Sequence, residues 1–369
     1  MAGPDDTTMA SAPAPIRVGL IGYGYAGRTF HAPLIRAVPA LDLRVVGSRD
    51  PAKVRADLPG LDVVADPAAV AASDGVDLVV IASPNDTHAP LARLALEAGK
   101  HVVVDKPFTL DLAEARGLVA LARRQGRMLS VFHNRRWDSD WLSVTQAIGD
   151  GVVGRPMHLR SHIDRFRPAV RDRWREGGGP GSGVWFDLGP HLVDQALLLF
   201  GLPDRVSASF ARQRAGALAD DWAHVVLEHG DRRSVLQASM LVAGGSPRFV
   251  VHGDGGSIVK QSADRQEAQL LAGAKPGDDG WGMDDDPLRL FDAQGVATDR
   301  PAACGDQRRY YAGIAAALRG EGGNPVPPVQ ALAVMAVVEA AIIAAATGRA
   351  TVPDLTTAER DDLIASYRA

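Results

Sequence analysis

Ile16-Arg17-Val18-Gly19-Leu20-Ile21-Gly22-Tyr23-Gly24-Tyr25-Ala26-Gly27 decides the fold of the first half of the chain. An apolar run of strand length ends in Gly-x-Gly-x-x-Gly and opens a helix, so the glycines permit a tight turn, backbone approach to a pyrophosphate and close helix packing. Alone the spacing is a weak motif; its neighbours give it force. Further strand-like runs at 43–47, 62–65, 78–83, 101–105 and 128–133 alternate with stretches of helical period. The helical stretches carry their own punctuation, with Asp50 before Pro51, Thr87 near a start, Gly99 after a stop, and Asp111 opening a run that ends near Gly126. Two βαβαβ halves with right-handed crossovers predict a doubly wound parallel sheet, a Rossmann fold, of strand order 3-2-1-4-5-6. Its ligand crevice lies beyond the carboxyl ends of the strands.

After Asn134 the texture changes to a helix, a Gly/Arg-rich loop, another helix and then β-branched runs at 205–212, 224–229, 234–242, 249–252 and 257–260. These predict a C-terminal α+β domain with a large, mostly antiparallel open sheet, closed off by helices at 310–319 and 330–347. The division expected is a disordered leader over 1–15, an NAD(P)-binding domain over 16–134 and a substrate-binding and oligomerisation domain over 135–369. The leader has neither a basic start nor an apolar run of signal length. The apolar window 331–346 is interrupted by Glu339 and falls short of the ~20 residues of a membrane span, so it reads as a buried helix.

With 369 residues, 46% hydrophobic and 23% charged, the chain has the composition of a soluble globular protein of two or three domains. A net charge of −4 leaves no basic footprint for nucleic acid. The single cysteine, Cys304, excludes an intramolecular disulfide and, with no Cys/His cluster at ligand spacing, points to a metal-free protein of the reducing cytoplasm. Only five of the 40 basic residues are lysines, which draws attention to Lys106.

The second strand ends in Gly47-Ser48-Arg49-Asp50. A carboxylate at this tip suits the ribose hydroxyls of NAD, whereas an arginine can fork onto a 2′-phosphate with a serine as a further donor. Asp50 directly precedes Pro51, the pattern of a helix cap, so Ser48 and Arg49 are left for the phosphate and NADP(H) is favoured over NAD(H).

Three further stretches, Ser83-Pro84-Asn85-Asp86-Thr87-His88, Asp105-Lys106-Pro107 and Asp187-Leu188-Gly189-Pro190-His191, together resemble the glucose-fructose oxidoreductase/inositol dehydrogenase (Gfo/Idh/MocA) family. Asp105 stands where that family commonly has Glu. Within the family, His133-Asn134-Arg135-Arg136-Trp137-Asp138, Arg173-Trp174-Arg175-Glu176, Asp194-Gln195 and the 278–282 loop are similar to the branch of NADP-dependent scyllo-inositol dehydrogenases. The resemblance implies hydride transfer between NADP(H) and a secondary hydroxyl or ketone of a cyclic polyol or sugar, most closely an inositol. It further implies a homodimer or homotetramer formed through the C-terminal sheet. The alternatives are a dehydrogenase of another sugar, or a nonenzymatic NAD(P)-binding sensor on the same scaffold.

Residue by residue, the dinucleotide falls to Gly22, Tyr23, Gly24, Tyr25, Ala26, Gly27, Ser48, Arg49, Ser83, Pro84, Asn85, His88, Asp105, Lys106 and Pro107. Lys106 is expected to stabilise oxyanion character and His191 to act as base. His191 follows Pro190 and is placed at the start of a helix, with Asp187 able to hydrogen-bond its ring. Asn134, Arg136, Trp174 and His191 are the substrate-pocket candidates, and the charge run 160–175 reads mostly as a solvated face. Retention of Lys106, Asp187 and His191 together argues for an enzyme over a sensor.

Overall fold

A computed structural model describes residues 13–368; most of the expected leader, residues 1–12, lies outside the described residues. Six strands, β1 (Ile16–Ile21), β2 (Leu41–Gly47), β3 (Asp62–Val64), β4 (Leu78–Ile81), β5 (His101–Val104) and β6 (Leu129–Val131), form a parallel sheet of order β3-β2-β1-β4-β5-β6, as the alternation predicts. β4 is Leu-Val-Val-Ile and buried throughout, the composition of a strand covered on both faces. The helix Pro51–Asp57 begins where the Asp50 carboxylate accepts the Lys53 amide at 3.1 Å. Leu112–Gln125 begins at the Asp111 carboxylate and stops at Gly126, whose φ of 60° favours glycine.

The second sheet has eight strands: β7 (Pro156–Asp164), β8 (Arg205–Ala211), β9 (Trp222–His229), β10 (Arg232–Ser239), β11 (Phe249–Gly253), β12 (Gly256–Lys260), β13 (Leu288–Asp292) and β14 (Ala297–Arg300). Their order is β14-β13-β12-β11-β7-β10-β9-β8, antiparallel except where β7 runs parallel to β10. Five of these match the expected runs. β7, β13 and β14 are additions, and β7 is a central strand.

The helix Val184–Phe200 packs across β7, β9 and β10. The helix Pro328–Thr347, apolar on every side, lies against Val184–Phe200 and β8 and also reaches β6 and Leu112–Gln125 of the first sheet. It is long and apolar enough to cross a membrane by composition, yet most of it is enclosed within the protein. Its one charge, Glu339, accepts the Leu112 amide at 3.1 Å. Further C-terminal segments return to the first half: Tyr310 donates to Ser130, and Arg116 pairs with Glu359 at 2.8 Å. The hydrophobic core is therefore continuous across both sheets.

Candidate active site

The carboxyl ends of β1, β2 and β4 open onto a cleft of about 610 Å³. Gly22 has φ 98°, and a Cβ there would meet the Ala82 carbonyl oxygen at 2.5 Å; one on Gly27 would collide with the Gly22 carbonyl. Gly24 has nothing within 4 Å of its missing side chain, so the loop presents bare backbone to open space. That is the cradle a pyrophosphate requires, and the residues present fit a dinucleotide.

Ser48, Arg49, Asp50 and Lys53 line one end of the cleft. The Asp50 carboxylate faces its own helix as a cap, while Arg49 is exposed and, among the described residues, forms no ion pair. Lys53 was not among the expected residues, although it lies four beyond Arg49; its Nζ donates to the Tyr23 carbonyl at 3.2 Å. Tyr25 donates from its hydroxyl to Glu267 at 2.5 Å, joining the glycine loop to the second half.

Two strand-end loops meet behind this cleft. The buried His88 ring lies between the Pro107 carbonyl (2.8 Å) and the Ser83 carbonyl (3.0 Å). It braces one loop against the other, with both ring nitrogens engaged by backbone carbonyls. Asn85 likewise donates inward, to the Gly181 carbonyl at 3.1 Å, and so fastens the β4 loop to the glycine-rich segment before Val184. Ser83, Pro84 and Asp105 remain on the cleft wall.

Lys106 reaches across to the other half of the chain. Its Nζ donates to the Asp187 carbonyl at 2.6 Å and to Asp187 Oδ1 at 3.0 Å, and Arg175 Nε stands 3.4 Å from the same oxygen. Burial would raise the Asp187 carboxyl, but Lys106, Arg175 and Arg165 outweigh it and hold the group well below the carboxylate range. Asp187 is thus engaged by cations and does not hydrogen-bond the His191 ring, contrary to expectation.

His191 is not at a helix start either. The helix begins at Val184, where Asp220 accepts the Trp185 amide at 2.9 Å, and Pro190 lies inside it. Asp187 and His191, four residues apart, therefore share one helical face. Gly189 is required between them, because a Cβ there would lie 2.7 Å from the Trp185 ring. His191 is buried, its Nδ1 has no partner among the described residues, and burial, then Arg135 and Lys106, push its pKa well below the usual histidine value. It is a neutral imidazole at neutral pH, held so by enclosure and neighbouring cations and not by a helix end.

Of the other substrate candidates, Asn134 is buried at the start of the turn Asn134–Trp137, and its side chain has no hydrogen-bond partner among the described residues. Arg136 is fully engaged: it forks onto Asp194 at 2.9 and 2.6 Å and donates to Gln330 at 2.7 Å, so it is a structural ion pair and not a free substrate donor. Trp174 lines the dinucleotide cleft, with the Arg175 guanidinium 4.3 Å from its ring centre. The charge run is also less solvated than expected, since Arg173 pairs with buried Glu176 at 2.6 Å. Arg135, missed from the sequence, is the neighbour that acts most strongly on His191.

A model of an oxidoreductase family's NAD-binding Rossmann fold matches residues 16–133, and one of that family's C-terminal alpha/beta domain matches 145–353. An uncharacterised oxidoreductase of Escherichia coli K12 is 52% identical over 89% of this chain and 95% of its own length. The NADP(+)-dependent scyllo-inositol 2-dehydrogenase of Bacillus subtilis is 34% identical over 89% of this chain and 93% of its own. A crystal structure from Klebsiella pneumoniae, 57% identical, superposes with a TM-score of 0.91 over 96% of this chain and 100% of the other.

Proposed function

The chain belongs to the Gfo/Idh/MocA family of oxidoreductases, and on that premise we propose that it is an NADP(H)-dependent dehydrogenase of a secondary hydroxyl on a cyclic polyol or sugar, most closely an inositol or its keto form. The observation that carries the reading is the Lys106 ammonium fixed on Asp187 at 2.6 and 3.0 Å, with neutral His191 one turn further along the same helical face. When bound, the nicotinamide supplies the hydride acceptor.

His191 takes the hydroxyl proton at Nε2, since Nδ1 is the nitrogen enclosed without a partner among the described residues. Lys106 donates to the same substrate oxygen and stabilises the negative charge that develops on it. Asp187 holds the Lys106 side chain in place and balances its charge; it acts on the lysine and not on the histidine. Arg49, Ser48 and Lys53 favour the 2′-phosphate, since among the described residues none is opposed by a free carboxylate at that end of the cleft.

The test is a panel of inositols, inososes, aldoses and their keto forms with NADP⁺ or NADPH, and with NAD⁺ or NADH, followed by nicotinamide absorbance. Turnover of an inositol or inosose with preference for NADP(H) is expected. Activity confined to simple aldoses removes the inositol assignment, and tight NADPH binding with no turnover of any hydroxyl or carbonyl compound removes the enzyme.

A further inference from the structure

We propose that His31 is a positioning residue for Lys106, acting through Asp105, and that the buried Tyr311 hydroxyl fixes the tautomer in which it acts. The proposal rests on Lys106 being the residue that meets the substrate oxygen. His31 closes the wide helical turn Gly27–His31, just beyond the glycine loop, and is completely buried. Its Nδ1 lies 2.6 Å from the Tyr311 hydroxyl, and its Nε2 stands 3.8 Å from Asp105 Oδ1. The same Oδ1 accepts the backbone amide of Lys106 at 2.8 Å. A line of contacts thus runs from a C-terminal helix, through the first helix, to the residue that carries the ammonium.

The proton positions follow from the chemistry of the partners. Burial would raise the Asp105 carboxyl, but His31, Lys106 and His88 hold it down at about 2, so it is an anion that can only accept. With an acceptor on the Nε2 side and a phenol able to donate on the Nδ1 side, the ring directs a hydrogen from Nε2 at Asp105, and Nδ1 accepts from Tyr311. Burial keeps the Tyr311 phenol protonated and able to donate. The Phe132 ring, 4.3 Å from that of His31, fixes the imidazole plane. At 3.8 Å the Nε2 to Asp105 contact is too long for a direct hydrogen bond, and among the described residues Nε2 has no other partner. Its N–H dipole steadies the carboxylate electrostatically across that gap, and the carboxylate in turn steadies the Lys106 backbone.

Three replacements separate this role from simple packing. His31→Phe keeps the ring volume and loses both nitrogens. His31→Gln can place an amide N–H near Nε2, and His31→Asn reaches only toward Tyr311. In the full-length protein with saturating NADPH, His31→Phe should lower kcat roughly 10-fold or more, as misplacement of a reacting group does. KM and NADPH affinity by fluorescence should stay near parental values, while the melting temperature falls modestly with the loss of the Tyr311 hydrogen bond. Gln should restore most of kcat and Asn should not, while His31→Phe should cost little further in an Asp105→Asn background. Equal rescue by Gln and Asn, or additive losses in the double variant, would overturn the coupling through Asp105.

A second readout needs no substrate. Nitrogen-15 NMR of the imidazole, assigned by its loss in His31→Phe, should show a hydrogen on Nε2 and a bare Nδ1. An Nδ1–H tautomer would sink the proposal even in a protein that turns over polyols, whereas the expected tautomer in a protein without turnover would leave only the catalytic reading at fault.

Discussion

Arg49→Ala offers the most direct measurement of cofactor choice. The guanidinium lies on the cleft wall beside Ser48 and Lys53 and, among the described residues, has no carboxylate partner. Truncation therefore leaves no buried charge behind, and the affinity lost reports the contact with the ligand alone. A hydrogen bond to a charged group contributes about 1.5–3 kcal/mol. At a factor of ten per 1.4 kcal/mol, NADPH should bind roughly 12- to 150-fold more weakly. Because Arg49 is exposed, the lower end is expected at physiological salt and the higher end at low ionic strength. NADH lacks the 2′-phosphate, so its affinity should change by no more than about twofold on the same reasoning. Fluorescence titration of both nucleotides against parent and variant, at two salt concentrations, gives the four constants needed. Equal binding of NADPH and NADH by the parent, or an equal loss of both in the variant, would refute the assignment of this end of the cleft.

His191→Ala should cost roughly 10²- to 10⁴-fold in kcat and remove the pH limb that belongs to the base, whereas Asp187→Asn should cost less and act through Lys106; steady-state kinetics across pH distinguish the two. Asp194→Ala strands a buried guanidinium and should destabilise the fold by about 3–5 kcal/mol, read as a lower urea midpoint. Acid sensitivity should have two stages. His133 and His229 are held at about 4 by burial, so the unfolded chain takes up protons first and stability declines as pH falls from about 6.5 to 4. Asp105, held at about 2, adds its loss only below the ordinary carboxylate range. A urea midpoint that does not fall between pH 6.5 and 4, or a His229→Phe variant with the parental slope, would contradict this.

The parallel half was legible because its strands are continuous apolar runs and its helices carry local caps at Asp50, Asp111 and Gly126. β7 held a period-two signal, with Met157, Leu159, Ser161 and Ile163 alternating with His158, Arg160, His162 and Asp164, but its polar side obscured the apolar one. β14 could not be found this way, since it is largely exposed and has no inward face to leave a pattern. The site was legible in residue type more than in pairing. Asp220 starts the helix that carries Asp187 and His191 from 35 residues away, and Asp194 engages Arg136 from 58 residues away. Such partners leave no local mark, and Pro190, a sound start signal in isolation, was misleading once a distant cap had begun the helix earlier.

The helix Pro328–Thr347 also has a bearing on the order in which the molecule can be completed. It covers β6 and Leu112–Gln125 as well as its own half, and Tyr310, Tyr311 and Glu359 extend the same attachment. During synthesis the glycine loop and all six parallel strands leave the ribosome long before this apolar cover does. The nascent first half therefore waits with a bare flank, the kind of surface that holdase chaperones recognise. Expressed alone as 16–134 it should be sticky and poorly soluble, and co-expression of the C-terminal segment in trans is the natural way to make it soluble.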